Sequence, residues 1–464
     1  MKNTIDTGNG ADYELFLRNR SQIGGMSGFE PLWIPDFLFP FQRALCDWSI
    51  RKGKAAIFSN CGTGKTPMQL VWAENVVRHT KKPVLILTPL AVAAQTGREA
   101  KKFDIEAKVS RDGAVHENIT VANYERLHYF HPDSFSGVVC DESSCLKAMN
   151  GKRRREVGEF LRTVPYRLLC TATAAPNDYV EIGTSSESLG EMGQKDMITM
   201  FFKQVMTKTE TDRLGWGRMK YRMKGHAEEA FWRWVCSWAR ACRMPSDLGF
   251  SDDGFILPEL TQNEHIVKSK TLPPGFLFEV PAQDMREELA ERRRTIQERC
   301  EKVSDLVNGT GKQAIIWCHL NPEGDLLAKL IKDGRQVRGS DSIDAKESAY
   351  ESFINGQLRV LIIKPKIGAY GLNLQCCDHI VTFASHSYES RYQAIRRCWR
   401  FGQKNPVTVD TVVTEGEQRI SASLERKSQA ADRMFTALVA SMNESLHLNR
   451  GSEFQQKVKV PSWM

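Results

Sequence analysis

The stretch Ser59-Asn60-Cys61-Gly62-Thr63-Gly64-Lys65-Thr66 decides how this chain is read. A short apolar run, Ala55-Ala56-Ile57-Phe58, precedes it, and a helix is predicted behind it from Pro67 to His79. Strand, glycine-rich turn, then Lys-Thr opening a helix is an arrangement that cradles phosphate. Glycines let successive backbone N–H groups curl around an anion, and the helix N-terminus adds partial positive charge. On this reading Gly62, Thr63 and Gly64 shape the loop, and Lys65 reaches the β- and γ-phosphates of a nucleotide. The Thr66 hydroxyl then faces Mg²⁺. Ser59 stands where the eight-residue pattern usually begins with glycine.

Outward from this loop, apolar runs alternate with helical stretches. Val84-Leu85-Ile86-Leu87 reads as a fully buried parallel strand and ends in Thr88-Pro89, at the strand end where open α/β sheets place ligands. Ile119-Thr120-Val121-Ala122 ends in Asn123-Tyr124, and Gly137-Val138-Val139-Cys140 ends in Asp141-Glu142. Acids directly after a buried strand are unfavourable without a partner, and bound Mg²⁺ is a natural one. Asp141 is therefore the candidate metal ligand and Glu142 the candidate base. A fifth strand, Tyr166 to Cys170, runs into Thr171-Ala172-Thr173. Upstream, Phe41-Gln42 precedes the loop by some twenty residues, and the Gln42 amide can both donate to and accept from the edge of adenine. The alternation predicts a parallel, doubly wound sheet over residues 31 to 185.

The bulk numbers agree with a soluble multi-domain chain. Its 464 residues exceed one ordinary core, 41% are hydrophobic and 26% charged. A net charge of +8 is compatible with a polyanionic partner and does not require one. The twelve cysteines show no Cys-x-x-Cys pair and no zinc spacing, which fits a reduced intracellular compartment. No apolar run approaches the length of a membrane span, and residues 1 to 20 do not read as a signal peptide.

The ordered series resembles the superfamily-two helicases, and within them the Swi/Snf-type ATPases. The residues that carry the resemblance are Phe41-Gln42, Gly62 to Thr66, Thr88-Pro89, Asn123-Tyr124-Glu125, Asp141-Glu142-Ser143-Ser144 and Thr171-Ala172-Thr173. In the second half, Gly368-Ala369-Tyr370-Gly371-Leu372-Asn373-Leu374 looks like the fifth motif of that family. Gln393-Ala394-Ile395-Arg396-Arg397-Cys398-Trp399-Arg400-Phe401-Gly402-Gln403 looks like the sixth. Ser143-Ser144 depart from the family's usual residues after Asp-Glu. The length, the Trp-rich middle and the wording around Arg397 also look like helicases of tailed-phage and prophage replication modules.

The resemblance implies an α/β fold of two RecA-like parallel-sheet lobes, with ATP and Mg²⁺ between them and a mainly helical insert joining them. The divisions expected are a lead-in at 1–30, lobe one at 31–185 and the insert at 186–282. A linker helix with lobe two follows at 283–430, and a tail at 431–464. Gln393 would join the ATP site, Arg397 and Arg400 would act from the second lobe on the γ-phosphate, and Thr171 and Thr173 would couple the lobes. Motif position makes Thr88, Pro89, Asn123, His319, Lys364, Gly371 and Asn373 candidate nucleic-acid contacts. The implied partner is nucleic acid, DNA ahead of RNA, with replication or nuclease proteins as further partners and no membrane. The implied place of action is the cytoplasm of a bacterial host. A motor subunit of a nuclease or restriction assembly, or an RNA-directed helicase, is the alternative reading.

Two segments are read from pattern alone. In Phe231-Trp232-Arg233-Trp234-Val235-Cys236-Ser237-Trp238, the residues Phe231, Trp234, Val235 and Trp238 share one helical face and are expected in a core. Trp232 falls elsewhere on that helix and is the expected exposed contact. One long helix is predicted from Asp284 to Asn308 with Gly309 as its cap. The loop from Met244 to Gly254 is turn-rich and expected to be exposed.

Overall fold

The computed structural model describes residues 25–90, 92–148, 151–211, 217–269, 285–368, 373–385 and 387–453. In lobe one, the apolar runs form β1 (Lys54–Ser59), β2 (Val84–Thr88), β4 (Ile119–Asn123), β5 (Gly137–Asp141) and β6 (Tyr166–Thr171), with a short β3 (Ala107–Val109) at the edge. The central strands are mostly apolar and buried because both sheet faces are covered. Ala56, Phe58, Leu85, Leu87 and Val138 pack on one side, while Ala55, Ile57, Val84, Ile86 and Val139 pack on the other. The helices are α1 (Pro40–Lys52), α2 (Lys65–Thr80), α3 (Ala93–Lys102), α4 (Lys152–Thr163), α5 (Ile182–Leu189) and α6 (Gln194–Phe201).

The segment between the lobes departs from the mainly helical insert that the sequence suggests. After α6 it forms an antiparallel hairpin, β7 (Phe202–Thr211) and β8 (Gly217–Met223), then α7 (Glu228–Cys236) and β9 (Ala239–Cys242). β9 pairs in parallel with β1, so lobe one has seven parallel strands in the order β3-β4-β2-β5-β6-β1-β9. β10 (Leu260–Val267) then crosses over and joins the second sheet. One stretch of chain therefore supplies an edge strand to each lobe. Short strands such as Ala239–Cys242 lie below the length at which alternation can be told from a loop.

Lobe two is a six-stranded parallel sheet in the order β10-β15-β14-β11-β13-β12. Its strands are β11 (Ala314–Trp317), β12 (Gly334–Val337), β13 (Val360–Ile363), β14 (His379–Phe383) and β15 (Val407–Thr414). The predicted single linker helix is two, α8 (Met285–Arg294) and α9 (Ile296–Thr310), broken at Thr295. The Thr295 hydroxyl donates back to the Glu291 carbonyl at 2.7 Å, the kind of side-chain bond that competes with a regular helix. Gly309 lies inside α9, and Gly311, at φ 61°, makes the cap. The lobe continues with α10 (Asn321–Leu330), α11 (Ile343–Ile354), α12 (Pro365–Gly368) and α13 (Tyr388–Ile395).

The last helix, α14 (Gln418–Glu453), starts in lobe two and returns to lobe one. Met434, Phe435, Leu438 and Met442 are buried in the same core as Phe231 and Trp238, and Cys236 Sγ donates to the Leu438 carbonyl at 3.5 Å. This packing corrects the expectation for Trp232. It is only 3% exposed and stands edge-on to Tyr179, with ring centroids 5.2 Å apart. Periodicity identified one apolar face of α7. The structure covers both sides, because a helix distant in sequence lies against it.

Candidate nucleotide site between the lobes

The loop after β1 closes on itself through side chains that the sequence pattern names. Thr63 Oγ1 bonds Ser59 Oγ at 3.0 Å and the Asn60 carbonyl at 2.8 Å. Ser59, standing in place of the usual glycine, is thus a partner inside the loop. Gly62 and Gly64 have φ of 91° and 79°, which an L side chain rarely adopts. Space matters as well as angle. A Cβ on Gly62 would come within 3.0 Å of the Phe401 backbone nitrogen, and one on Gly64 would collide with Gln42 Nε2. Lys65 opens α2 and folds over the loop, its Nζ donating to the Ser59 and Asn60 carbonyls at 2.9 and 3.1 Å. Thr66 follows, half-buried, on the first turn of the same helix.

Gln42 takes a different place from a group held open to a base. It is buried, accepts from Phe39 N at 3.0 Å and donates to the Thr63 carbonyl at 2.7 Å. In this geometry it braces the phosphate loop from behind.

Asp141 and Glu142 are buried at the end of β5. Gln69, which sequence reading missed, donates its Nε2 to Asp141 Oδ1 at 2.7 Å from one turn into α2. Burial pushes the Asp141 carboxyl up, against the pull of Gln69 and Lys65. Burial also raises Glu142, to about 7, with Lys65 and Arg397 opposing and Asp141 adding to the rise. Glu142 has φ 48°, a left-handed backbone that a non-glycine residue holds only under constraint from its surroundings.

The second lobe reaches this carboxylate along one face of α13. Glu389, Tyr392 and Gln393 lie at i, i+3 and i+4, so they share that face. Tyr392 Oη donates to Asn60 Oδ1 at 2.8 Å. Gln393 Nε2 stands 3.3 Å from Glu142 Oε2, while its Oε1 accepts from Arg397 Nη2 at 2.7 Å. Glu389 ion-pairs with Lys147 of lobe one and accepts from Thr173 Oγ1 at 3.3 Å. Thr171 Oγ1 lies 3.4 Å from Glu142 Oε2 and accepts from Thr173 N at 3.1 Å. A polar chain therefore runs from Glu142 through Thr171 and Thr173 to Glu389. Asn60, Lys147, Glu389 and Tyr392 carried no motif signal, although the helical spacing of 389, 392 and 393 ahead of Arg397 could have marked the last two.

Arg397 is buried and held by Gln393, and Arg400 lies beside the loop, where a Cβ on Gly62 would be 3.6 Å from its own Cβ. Burial and then the neighbouring Arg397 push the Arg400 guanidinium below its usual value. Beside the loop opens a cavity of about 440 Å³, walled by Asn60 to Thr63, by Met244 and Phe255, and by Trp399 and Phe401. Met244, Ser246 and Asp247 of the loop expected to be exposed, with Phe255 to Leu257 just after it, thus wall this cavity.

The remaining candidates sit at strand ends without forming one open surface. Thr88 and Asn123 face each other across β2 and β4, and both are buried. Asn123 Nδ2 donates to the Pro89 and Leu90 carbonyls at 3.3 and 3.2 Å, so it ties down the Pro89 loop. His319 follows β11 and Lys364 follows the neighbouring β13. The His319 backbone N–H donates to Glu323 at 2.8 Å, and burial lowers its imidazole to about 4. Asn373 is exposed, and Gly371 lies outside the described residues.

The donor set fits Mg²⁺. Among the described residues no group of three or more His, Cys, Asp or Glu could hold a metal ion. A buried carboxylate at Asp141 with a threonine hydroxyl at Thr66 instead suits a cation that completes its shell with phosphate and water. No helix among the described residues is long and apolar enough to cross a membrane.

Comparison with known proteins finds helicase relatives. The model described as the helicase conserved C-terminal domain matches residues 298–402. The bifunctional helicase and thymine dioxygenase JBP2 of Leishmania tarentolae is 36% identical over 96 residues, which is 20% of this chain and 9% of that protein. A Bacillus subtilis (strain 168) protein carrying the name ATP-dependent helicase/translocase YwqA is 26% identical over 495 residues, covering 92% of this chain and 52% of the relative. The chain thus spans less than two thirds of the length of either relative. Protein p41 of Acyrthosiphon pisum secondary endosymbiont phage 1 is 20% identical over 448 residues, covering 81% and 92% of the two chains. Among solved structures, the Sulfolobus solfataricus SWI2/SNF2 ATPase core in complex with dsDNA is similar over 89% of this chain and 96% of that one, at 15% identity and a TM-score of 0.40. The helicase C-terminal domain is thus matched in the second lobe, and the chain is similar to a helicase/translocase over most of its length and, at lower identity, to a phage protein.

Proposed function

We propose that this protein hydrolyses ATP between its lobes and uses the cycle to move along nucleic acid, DNA above RNA. The observation that carries the reading is the contact of Gln393 of one lobe with Glu142 of the other, with Arg397 bonded to Gln393 and Arg400 beside the loop after β1. On this reading the loop amides and Lys65 bind the phosphates, Lys65 exchanging its carbonyl partners for phosphate oxygens. Thr66 and Asp141 hold Mg²⁺, which supplies positive charge at the transferring phosphoryl group. Glu142 accepts the proton of the attacking water, its raised pKa matching a base that works near neutral pH. Arg397 and Arg400 neutralise charge developing on the γ-phosphate, and the adenosine half lies in the cavity beside Phe255 and Phe401.

Because the arginines and the base stand on separate sheets, turnover requires the lobes to be closed. The chain through Thr171, Thr173 and Glu389 would report that closure to surfaces beyond the nucleotide. Nucleic acid lying across both lobes would favour the closed state and be displaced as it relaxes. The test is steady-state Mg²⁺-ATPase activity without polymer and with duplex DNA, single-stranded DNA or RNA. A several-fold stimulation by DNA is expected. Equal rates under all conditions would overturn the motor reading, and stimulation by RNA alone would reassign the polymer.

A further inference from the structure

Between α6 and α7 the chain leaves both sheets and runs out and back as the β7–β8 hairpin. Its register pairs Lys203 with Arg222, Gln204 with Tyr221 and Val205 with Lys220. Side chains alternate along a strand, so one face carries Lys203, Val205, Lys220 and Arg222. The other carries Phe202, Gln204, Met206, Tyr221 and Met223. That second face accounts for its own position. Phe202 is buried, Tyr221 and Met223 pack on the lobe-one core, and Gln204 Nε2 donates to Tyr221 Oη at 3.2 Å.

On the first face, Lys203 and Arg222 have no such account among the described residues. Lys203, Lys220 and Arg222 are exposed, and no acid occurs at 202–206 or 220–223. Lys203 and Arg222 stand directly opposite each other, and neither makes an ion pair with any described residue. Like charges directly opposed weaken an antiparallel pair, so local folding does not select this arrangement. A polyanion laid over it would convert the repulsion into attraction and release its condensed counterions.

The hairpin is also held to lobe one. At its base Lys224 Nζ donates to the Thr199 and Met200 carbonyls at 2.8 and 3.0 Å. Lys220 is near enough to the Asp178 carboxyl of lobe one to draw against its burial. We infer that the face of this hairpin carrying the opposed Lys203 and Arg222 contacts the phosphate backbone of the nucleic acid that the motor tracks. The inference rests on the reading under Proposed function and adds to it a surface outside every helicase motif in the chain.

The experiment compares full-length protein with the Lys203→Ala/Arg222→Ala variant, using a short fluorescent DNA duplex over a range of salt concentrations. Loss of two phosphate contacts should make the dependence of log affinity on log salt shallower by about 1.8 and weaken binding roughly tenfold or more at moderate salt. Polymer-free ATPase and thermal melting should match wild type, since both residues are exposed and lie outside the nucleotide motifs. DNA-stimulated turnover should need more DNA and reach the same plateau. If the variant keeps wild-type affinity and salt slope while wild type binds DNA, the hairpin inference is overturned alone, and its cationic face is left to an acidic protein partner. If wild type binds neither DNA nor RNA, the hairpin inference falls together with the motor reading.

Discussion

Replacing Arg400 by alanine should move stability and activity in opposite directions. Arg400 Nε is buried and has no hydrogen-bond partner among the described residues, and burial with Arg397 beside it disfavours its charge. A buried donor left unsatisfied costs about 1–3 kcal/mol. Arg400→Ala should therefore leave the nucleotide-free protein as stable as wild type or more so, at about 2–4 °C of melting temperature per kcal/mol for units of this size. Turnover should fall steeply, because an arginine supplied to the γ-phosphate is worth roughly 10³–10⁵ in rate, or about 4–7 kcal/mol. Arg397→Ala is the contrasting variant. Its guanidinium is held by the Gln393 carbonyl and Oε1 at 3.3 and 2.7 Å, so its loss should lower both turnover and melting temperature. The assays are DNA-stimulated Mg²⁺-ATPase and thermal melting without nucleotide. Wild-type turnover in Arg400→Ala would refute its role at the γ-phosphate. A melting temperature well below wild type would refute the claim that the folded protein holds this charge without a compensating partner.

Three further outcomes follow from the same geometry. Glu142→Gln should bind ATP and fail to turn it over, whereas Lys65→Ala should weaken binding itself; equilibrium titration with a fluorescent nucleotide beside ATPase rates separates the two, and full turnover in Glu142→Gln would remove the base assignment. Trp232→Ala should destabilise the protein by about 3–5 kcal/mol, because the ring is buried between Tyr179 and Phe231; unchanged melting with weaker DNA binding would restore an exposed role. His319 has a folded pKa of about 4, lowered by burial with Glu323 opposing, so below the ordinary value near 6.5 the unfolded chain takes up its proton first. Stability should then fall by roughly 3 kcal/mol as pH drops from about 6.5 to 4, with no contribution from this group above that window. His319→Leu should lose that part of the acid dependence, and an unaltered pH profile would show the imidazole is not held neutral.

The sequence by itself determined the strands of both sheets that are long and apolar enough to be read, and the residues of the phosphate loop, because these signals are local. A buried parallel strand must be apolar on both faces, and a loop that curls around phosphate must have glycine where φ is positive, as at Gly62 and Gly64. The motif series also grouped Glu142, Gln393 and Arg397, and the structure has Gln393 touching both of the others. Local signals could not assign the stretch between the lobes. β9 is a strand only because β1 offers it an edge, and β10 because β15 does. Trp232 is buried because Tyr179 stands against it and because α14 comes back from the second lobe to lie on α7, both distant from it in sequence. Gln42 shows the same division at a single side chain. Its place before the loop is legible in the sequence, but whether its amide meets a base or the Thr63 carbonyl depends on the path of the backbone, and only the tertiary structure decides that.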